Sequence, residues 1–205
     1  YAKMEEGLLI VLSVPAGSGK GTVSQLLLRS PDFAFSVAAT TRAPRPGEVD
    51  GVNYHFITTA DFEERIRRGE LLEYTNYCGN YYGTLRREAE AILGSGRNLL
   101  LEIEVEGAAN IKRLRPDAVL IMLLPPSFAV QEQRLRGRGT ETEEKIRARL
   151  TRSREELDRL PIYDYIVYNR DDGAEACADD VRAIVRAERC SVRRNPDAEK
   201  KFFER

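Results

Sequence analysis

The sequence has few of the residues that build metal centres, disulfide frameworks or membrane spans. One histidine, His55, occurs in the 205 residues, which excludes a histidine-based metal cluster. The three cysteines lie far apart and lack metal-ligand spacing, so we expect free thiols in a reducing compartment. No apolar run approaches the roughly 20 residues that span a bilayer, and the first residues, YAKMEEG, do not resemble a signal peptide. These absences predict a cytoplasmic protein.

Neither sign of charge is in excess. The 32 basic and 33 acidic residues nearly cancel, so no overall field favours nucleic acid or a membrane. Arginine strongly outnumbers lysine, and its planar guanidinium group favours paired contacts to phosphate. A chain of this length can bury one good core and carry small inserted subdomains. We therefore expect one compact unit with no nucleic acid or membrane partner.

The most informative stretch is LLIVLSVPAGSGKGT, near the amino end. Its first residues, 8–14, are nearly all apolar, which predicts a strand buried on both faces of a parallel sheet. The strand is followed by a turn in which Gly17 and Gly19 permit amide groups to point inward around an anion. Lys20 adds a positive charge, and a helical pattern begins at Thr22, so the positive end of a helix also faces the turn. The stretch predicts a phosphate-binding loop.

This loop departs from the standard phosphate-loop pattern. The pattern requires Gly at position 14 and Ser or Thr at position 21, where this chain has Val14 and Gly21. A glycine-rich strand-to-helix turn that binds no ligand is the alternative interpretation. We favour the phosphate loop, because a lysine directly after Gly-Ser-Gly at a helix start has little structural purpose. Thr22 is then the hydroxyl nearest to a nucleotide-bound magnesium ion, which it would contact directly or through water.

Strands and helices alternate along the rest of the chain. Four more strands are predicted, at 33–41, 98–105, 118–124 and 163–168, and those at 98–105 and 118–124 are expected to be buried. Such alternation predicts right-handed crossovers and a parallel sheet flanked by helices. Between the first two of these strands, a short strand through Val52, Tyr54 and Phe56 and a hairpin of strands 71–77 and 80–84 indicate a small inserted lobe.

The same reading divides the chain into three parts. An arginine-rich helical segment follows the strand 118–124, with Gly137 and Gly139 as a hinge and a capping box from Thr140 to Glu143. We expect this segment to form a lid. The predicted parts are a core of residues 1–36, 91–126 and 156–205, a lobe of residues 37–90, and a lid of residues 127–155.

Two groups of arginines fall where phosphate would be bound. Arg42 and Arg45 flank Pro44, which stiffens the backbone so that both guanidinium groups can converge on one small anion. Tyr54 and Tyr82 could add hydroxyl groups. The alternative is a surface turn with solvated arginines.

The second group lies around the glycine hinge and consists of Arg134, Arg138 and Arg149. Closure of the hinge would bring their charge over a transferring phosphoryl group. An exposed helix with surface ion pairs is the alternative interpretation.

Carboxylates supply a further signal. Glu102, Glu104 and Glu106 alternate along one predicted strand face near the carboxyl edge of the sheet. Glu102 and Glu104 could orient magnesium-bound water or a second substrate there. A solvated strand end is the alternative. Glu73 lies in the apolar stretch LLEYTNY and needs hydrogen-bond donors there. Guanine offers two adjacent donors on one edge and adenine does not, so Glu73 would select guanine; the alternative is an edge-strand glutamate that faces water.

Together these segments resemble the guanylate kinase family, over nearly the whole chain from Leu8 to about Arg189. TTRAPRPGEVDGVNY and GNYYGT are similar to its nucleoside-monophosphate segments, and LRGRGTETEEKIRARL is similar to its lid. The resemblance implies an α/β fold of the P-loop NTPase type: a parallel sheet flanked by helices, with an inserted small mixed-sheet lobe that binds the monophosphate and a helical lid. It also implies magnesium-dependent transfer of a phosphoryl group from ATP to GMP, giving ADP and GDP.

The resemblance implies roles for individual residues. ATP would be bound by Ala16, Gly17, Ser18, Gly19, Lys20, Gly21, Thr22, Arg134 and Asn169. Thr22 would also serve the magnesium ion. GMP would be bound by Arg42, Arg45, Tyr54, Glu73, Tyr82, Thr84 and Glu102. The residues expected to act on the transferring phosphoryl group are Lys20, Arg42, Arg138 and Arg149.

The chain departs from the family at several positions. Ala38 replaces a serine that helps to bind guanine, Glu104 replaces an aspartate, and Glu106 replaces a glutamine. Ala16 and Gly21 replace serines in the loop, whose GKGT ending resembles adenylate kinases. Two alternatives follow: a non-catalytic guanylate-kinase-like module that binds phosphorylated peptides, and a kinase for another monophosphate. Lys20 and the lid arginines argue against the first alternative, and Glu73 with Thr84 argues against AMP.

Overall fold

The apolar strand before the glycine-rich turn lies at the centre of a parallel sheet. The computed structural model describes residues 6–15, 20–77, 79–137, 139, 142–170 and 173–204, except for the side chain of Lys20. The strands are β1 Leu9–Ser13, β2 Phe33–Phe35, β3 Ala39–Thr40, β4 His55–Phe56, β5 Leu71–Tyr77, β6 Asn80–Leu85, β7 Asn98–Glu102, β8 Val119–Leu124 and β9 Tyr165–Tyr168. The α-helices are α1 Lys20–Leu28, α2 Thr59–Arg67, α3 Arg86–Gly94, α4 Val105–Leu114, α5 Phe128–Gly137, α6 Glu143–Leu157, α7 Ala174–Cys190 and α8 Ala198–Phe203.

The central sheet has the strand order β2-β7-β1-β8-β9, and all its described pairings are parallel. Both faces of β1 are covered, which explains its unbroken apolar run. Its even-numbered residues pack with α1 and α7, where Leu27 and Val181 are fully buried. Its odd-numbered residues pack on the other face with Leu93 of α3 and Ile111 of α4. The predicted parallel sheet flanked by helices is confirmed.

A second, mixed sheet forms the inserted lobe, in the order β4-β3-β6-β5. Strand β3 runs parallel to β4 and antiparallel to β6, and β5 is antiparallel to β6. Helix α2 covers this sheet through Phe62, which is fully buried and stacks on Tyr81 with ring centroids 4.9 Å apart. The hydroxyl of Thr58 accepts a hydrogen bond from the Asp61 amide, so it caps the start of α2. The lobe therefore has a small core of its own.

Helices α5 and α6 lie in the segment predicted to form a lid, called the lid below, and they share an apolar cluster of Leu135, Ile146 and Leu150. The cap of α6 differs from the prediction. Thr142 caps the helix by accepting a hydrogen bond from the Lys145 amide, whereas Thr140 lies outside the described residues. Two threonines precede the helix, and the Thr-x-x-Glu spacing pointed to the wrong one.

Three predicted strands have different bounds in the structure. The segment 33–41 splits into β2 and β3, which belong to different sheets, so the chain leaves the core at residues 36–38. The strand predicted at 98–105 ends at Glu102, because α4 already begins at Val105. The strand predicted through Val52 to Phe56 is reduced to β4 and a bridge from Asp50 to Tyr54. In the part of the chain described here, no helix has the length and apolarity to cross a bilayer.

Candidate functional site

The carboxyl edge of the central sheet carries the beginning of the predicted ATP site. Strand β1 ends at Ser13, and α1 begins at Lys20, with Gly21 and Thr22 exposed in its first turn. This is the strand, turn and helix order that a phosphate-binding loop requires. Several predicted residues fall outside the described residues: Ala16, Gly17, Ser18, Gly19 and Arg138. Their roles, and that of the Lys20 side chain, stay predictions.

Arg134 and Asn169 meet at the same edge of the sheet. Asn169 follows β9, is 7% exposed, and donates its amide hydrogen to the carbonyl oxygen of Leu124 at 2.7 Å. Arg134 of α5 donates from Nη2 to the carbonyl oxygen of Asn169 at 3.0 Å. The two residues predicted to bind ATP are thus in contact, and they join the lid to the end of β9. Arg149 lies on α6 and is exposed.

Arg42 is held by a carboxylate that the sequence analysis did not single out. Nη1 and Nη2 of Arg42 donate to Oε2 and Oε1 of Glu48, both at 2.9 Å. Oε2 of Glu48 also accepts the Arg45 amide hydrogen at 2.7 Å. The hydrogen bond from Arg42, followed by that from the Arg45 amide, lowers the pKa of Glu48 to about 2. The hydrogen bond to Glu48 likewise raises the pKa of Arg42 above its usual range.

Aromatic rings enclose this pair. The guanidinium carbon of Arg42 lies 5.3 Å from the ring centroid of Tyr54 and 5.6 Å from that of Phe56. The Tyr54 and Tyr82 rings meet edge to face at 6.0 Å, and Tyr82 also contributes to the raised pKa of Arg42. Burial raises the pKa of Tyr54, with a smaller contribution from Tyr82. The predicted phosphate ligands Arg42, Tyr54 and Tyr82 are therefore brought together, and Arg45 joins them through its backbone.

Glu73 and Thr84 form the second part of the predicted GMP site. The two residues lie opposite each other on β5 and β6, and the Thr84 hydroxyl donates to Oε1 of Glu73 at 2.9 Å. Glu73 is 5% exposed and Thr84 is 2% exposed. Burial, with a smaller contribution from nearby Glu104, raises the pKa of Glu73 to about 7 against the opposing effect of the Thr84 hydrogen bonds. Thr84 donates to Glu73 through its hydroxyl and its backbone amide, and a carboxylate has about four acceptor positions, so Glu73 can accept from further donors.

The three carboxylates predicted on one strand face do not share a face. Only Glu102 lies on β7, whereas Glu104 is the residue before α4 and Glu106 lies in its first turn. Glu104 accepts hydrogen bonds from the Thr75 hydroxyl at 3.2 Å and from Nη2 of Arg152 at 2.7 Å. Glu106 instead accepts from Arg159 at 3.2 Å. The strand prediction was wrong here because the helix begins three residues after the strand ends.

Arg152 is a second residue that the sequence analysis missed. It lies on α6, pairs with Glu104 and with Glu156 at 3.0 Å, and places its guanidinium group 4.3 Å from the ring centroid of Tyr77. It therefore links the lid, the end of β5 and the start of α4. Its sequence signal was weak, since arginines are frequent along this helix. Glu48 had a clearer signal, because Pro46 and Gly47 directly before it predict a tight turn.

Comparisons with known proteins agree with this geometry. The guanylate kinase family model matches residues 6–188. The chain is 50% identical over 191 residues to the guanylate kinase of Halalkalibacterium halodurans, with 93% of each chain covered. It is 45% identical over 195 residues to that of Desulfitobacterium hafniense, covering 95% of this chain and 96% of the relative.

A solved structure gives the same answer for the fold. The crystal structure of guanylate kinase from Anaplasma phagocytophilum matches with a TM-score of 0.73 at 32% sequence identity, over 91% of this chain and 88% of that one. The family match spans both sheets and the lid, including the arginine pair on the small lobe and the buried Glu73. On these grounds the chain belongs to the guanylate kinase family.

Proposed function

We propose that this protein transfers the γ-phosphoryl group of ATP to GMP, giving ADP and GDP. The observation that carries the choice of GMP is the carboxylate of Glu73, which is 5% exposed and has one side-chain donor, Thr84. A buried carboxylate needs donors, and guanine presents N1–H and the 2-amino group side by side. Adenine has no such pair, so AMP would leave Glu73 desolvated with no donor from the base.

The arginine site supports the same substrate. Arg42 and Arg45 lie on one turn with Tyr54 and Tyr82 around Arg42, which suits the phosphate of a nucleoside monophosphate. Both this site and the Glu73 site lie on the small lobe, Tyr82 and Thr84 being two residues apart on β6. Alternate residues of a strand share one face. The proposal is that GMP spans from Thr84 to Tyr82 along this face, with Glu102 of the central sheet beside it.

ATP would be bound on the opposite side, at the amino end of α1. We propose that the loop residues 16–19, Lys20 and the first turn of α1 hold its phosphates, while Arg134 and Asn169 contribute from the lid and from the end of β9. Arg138 and Arg149 would then neutralise charge on the transferring phosphoryl group. No general base is assigned, because positioning and charge supply most of the acceleration in this chemistry.

Magnesium would enter with the nucleotide. In the described part of the chain, no three His, Cys, Asp or Glu side chains are grouped so as to hold a metal ion. Thr22 is exposed in the first turn of α1, and the space beside Gly21 is open, so these residues fit a phosphate-bound ion. Thr22 and water would complete the oxygen ligands of the ion. When bound, the ion would neutralise the charge of the ATP phosphates.

We also propose a cytoplasmic location. Cys177 and Cys190 are free thiols, which suits a reducing compartment.

The proposed reaction is tested by a coupled assay for ADP with ATP and magnesium. We expect GMP and dGMP to be phosphorylated and AMP and UMP to be poor acceptors. Lys20→Met should nearly abolish turnover and leave the thermal melt unchanged. If GMP binds by calorimetry but no ADP is formed, the protein is a binding module; turnover that favours AMP or UMP would assign a different monophosphate.

A further inference from the structure

We propose that Glu48 is a positioning residue for the phosphate site: it holds one edge of the Arg42 guanidinium group so that the other edge faces the phosphate of the acceptor. This inference rests on the proposed function, since it concerns the binding of a nucleoside monophosphate. Glu48 would not touch the acceptor. It would act through Arg42 and through the backbone of Arg45.

The turn before Glu48 explains why it reaches Arg42. The Glu48 amide donates to the carbonyl oxygen of Arg45 at 3.0 Å, which closes a four-residue turn over Arg45-Pro46-Gly47-Glu48. Pro46 occupies the second position and Gly47, with a φ of 85°, the third, as in a type II turn. A turn of this type reverses the chain, and the Glu48 carboxylate then folds back over the Arg45 amide and Arg42.

The donors of Arg42 can be counted. A guanidinium group has five N–H bonds. Nη1 donates to Glu48 and to the carbonyl oxygen of Ala43 at 2.7 Å, and Nη2 donates once to Glu48. Glu48 and Ala43 leave the hydrogen on Nε and the second hydrogen on Nη2, and Tyr82, itself a predicted phosphate ligand, is a further hydrogen-bond partner of Arg42. These two hydrogens form the second paired edge of the group, which matches the oxygens of a phosphate.

Glu48 also limits how Arg42 can move. The side chains of Arg42 and Glu48 are only 15% and 18% exposed, and the rings of Tyr54 and Phe56 flank the guanidinium group. An arginine that is already fixed loses less conformational entropy when it binds an anion. The charge of Glu48 suggests an alternative role, in which Glu48 competes with the phosphate for Arg42. The donor count favours positioning, because the edge that Glu48 leaves open is sufficient for paired contacts.

The two roles predict opposite changes in acceptor binding. In Glu48→Gln, the amide nitrogen cannot accept from Arg42, so one bond is lost and the other becomes uncharged. Positioning predicts that the KM for GMP rises about tenfold or more, while kcat and the KM for ATP change less than about twofold. Glu48→Asp keeps the charge but has a shorter side chain, so its KM should lie between those of the wild type and Glu48→Gln.

The matched control is Glu70→Gln. Glu70 also pairs with an arginine of the small lobe, Arg65, at 3.0 Å, but both side chains are 40% exposed and neither is predicted to bind a ligand. We expect this variant to keep the wild-type KM for GMP. Calorimetry with GMP and with guanosine adds a readout that does not depend on turnover. Glu48→Gln should weaken GMP binding and leave guanosine binding unchanged, because guanosine has no phosphate.

Each result decides between the interpretations. A lower KM for GMP in Glu48→Gln would show competition and overturn positioning. An unchanged KM, or equal weakening of GMP and guanosine, would reduce the pair to a structural role and also overturn it. A wild-type protein that neither phosphorylates nor binds GMP would overturn the proposed function itself, and this outcome is visible before any variant is made.

Discussion

Arg152 donates a 2.7 Å hydrogen bond to Glu104, and this contact joins the lid helix α6 to the start of α4. Glu104 in turn raises the pKa of the buried Glu73, after the larger effect of burial. Arg152 of the lid therefore contacts Glu104, and Glu104 in turn affects the charge of Glu73 in the proposed guanine site.

Arg152→Gln should weaken the use of GMP. Without the guanidinium group, the charge of Glu104 is no longer offset beside Glu73, so we expect the KM for GMP to rise about three- to tenfold. Arg152 is 41% exposed, so its loss should lower the free energy of unfolding by about 1 kcal/mol or less. Arg147→Gln is the control, because Arg147 lies on the same helix, is 77% exposed, and pairs with Glu143 at 3.4 Å. Equal kinetics for the two variants would contradict the link.

Glu73→Gln should abolish GMP selection and stabilise the protein at high pH. The folded pKa of Glu73, about 7, is raised above its ordinary value of 4.5. The stability that the protonated form of Glu73 contributes is fully present below about pH 4.5 and is lost as the pH rises through 7. At pH 8 glutamine avoids the buried charge and still accepts from Thr84, so the free energy of unfolding should exceed that of the wild type by about 1 to 3 kcal/mol. Urea titrations at pH 5 and pH 8 measure this. If the difference in free energy of unfolding between Glu73→Gln and the wild type does not grow from pH 5 to pH 8, the prediction is wrong.

The pH profile of GMP phosphorylation should have a rising limb near pH 7. The carboxylate form of Glu73 accepts from guanine, and the protonated form that predominates below its pKa of about 7 accepts poorly. The hydrogen bond from Thr84 lowers this pKa, so Thr84→Val should move the limb of kcat/KM for GMP to higher pH. The GMP phosphate titrates identically in assays of both proteins, so a difference between their pH profiles comes from the protein. A limb at the same pH in both proteins would assign it to another group.

A side chain at Gly107 in α4 should crowd Glu73. A Cβ at this position would lie 3.3 Å from Oε2 of Glu73 and 3.3 Å from two atoms of Ile103. Gly107→Ala should therefore displace Glu73 and raise the KM for GMP several-fold, although alanine favours a helix by up to about 1 kcal/mol. Gly94→Ala is the control, because no atom lies within 4 Å of its Cβ position in α3. It should keep the KM and raise the melting temperature; a wild-type KM in Gly107→Ala would mean that Glu73 needs no such space.

The central sheet was predictable because its strands are buried on both faces and are therefore unbroken apolar runs. Strand β1, for example, has no exposed residue from Leu9 to Ser13. The break within 33–41 was not predictable in the same way. Its residues are compatible with one continuous strand, and only tertiary pairing shows that Phe33 joins β7 whereas Ala39 joins β6.

The candidate site divides in a similar manner. Candidate ligands that belong to a local motif, such as Arg42 near Pro44, could be proposed from the sequence. Pairings across long separations were not: Glu104 and Arg152 are 48 residues apart, and Arg134 and Asn169 meet only through the packing of the lid on β9. Glu48 is intermediate, because its turn was visible in Pro46 and Gly47 but its partner was not.

The polypeptide passes between the core and the small lobe at residues 36–38 and at helix α3. Ser36 and Glu88 tie these connections together through a 2.7 Å hydrogen bond. Six of the predicted GMP ligands lie beyond both connections: Arg42, Arg45, Tyr54, Glu73, Tyr82 and Thr84. A rotation about this pair of connections would carry all six together, and it would separate Thr75 from Glu104 and Tyr77 from Arg152. Binding of the acceptor base and its approach to ATP would then be separate steps. An acceptor with the wrong base would dissociate before its phosphate comes near ATP.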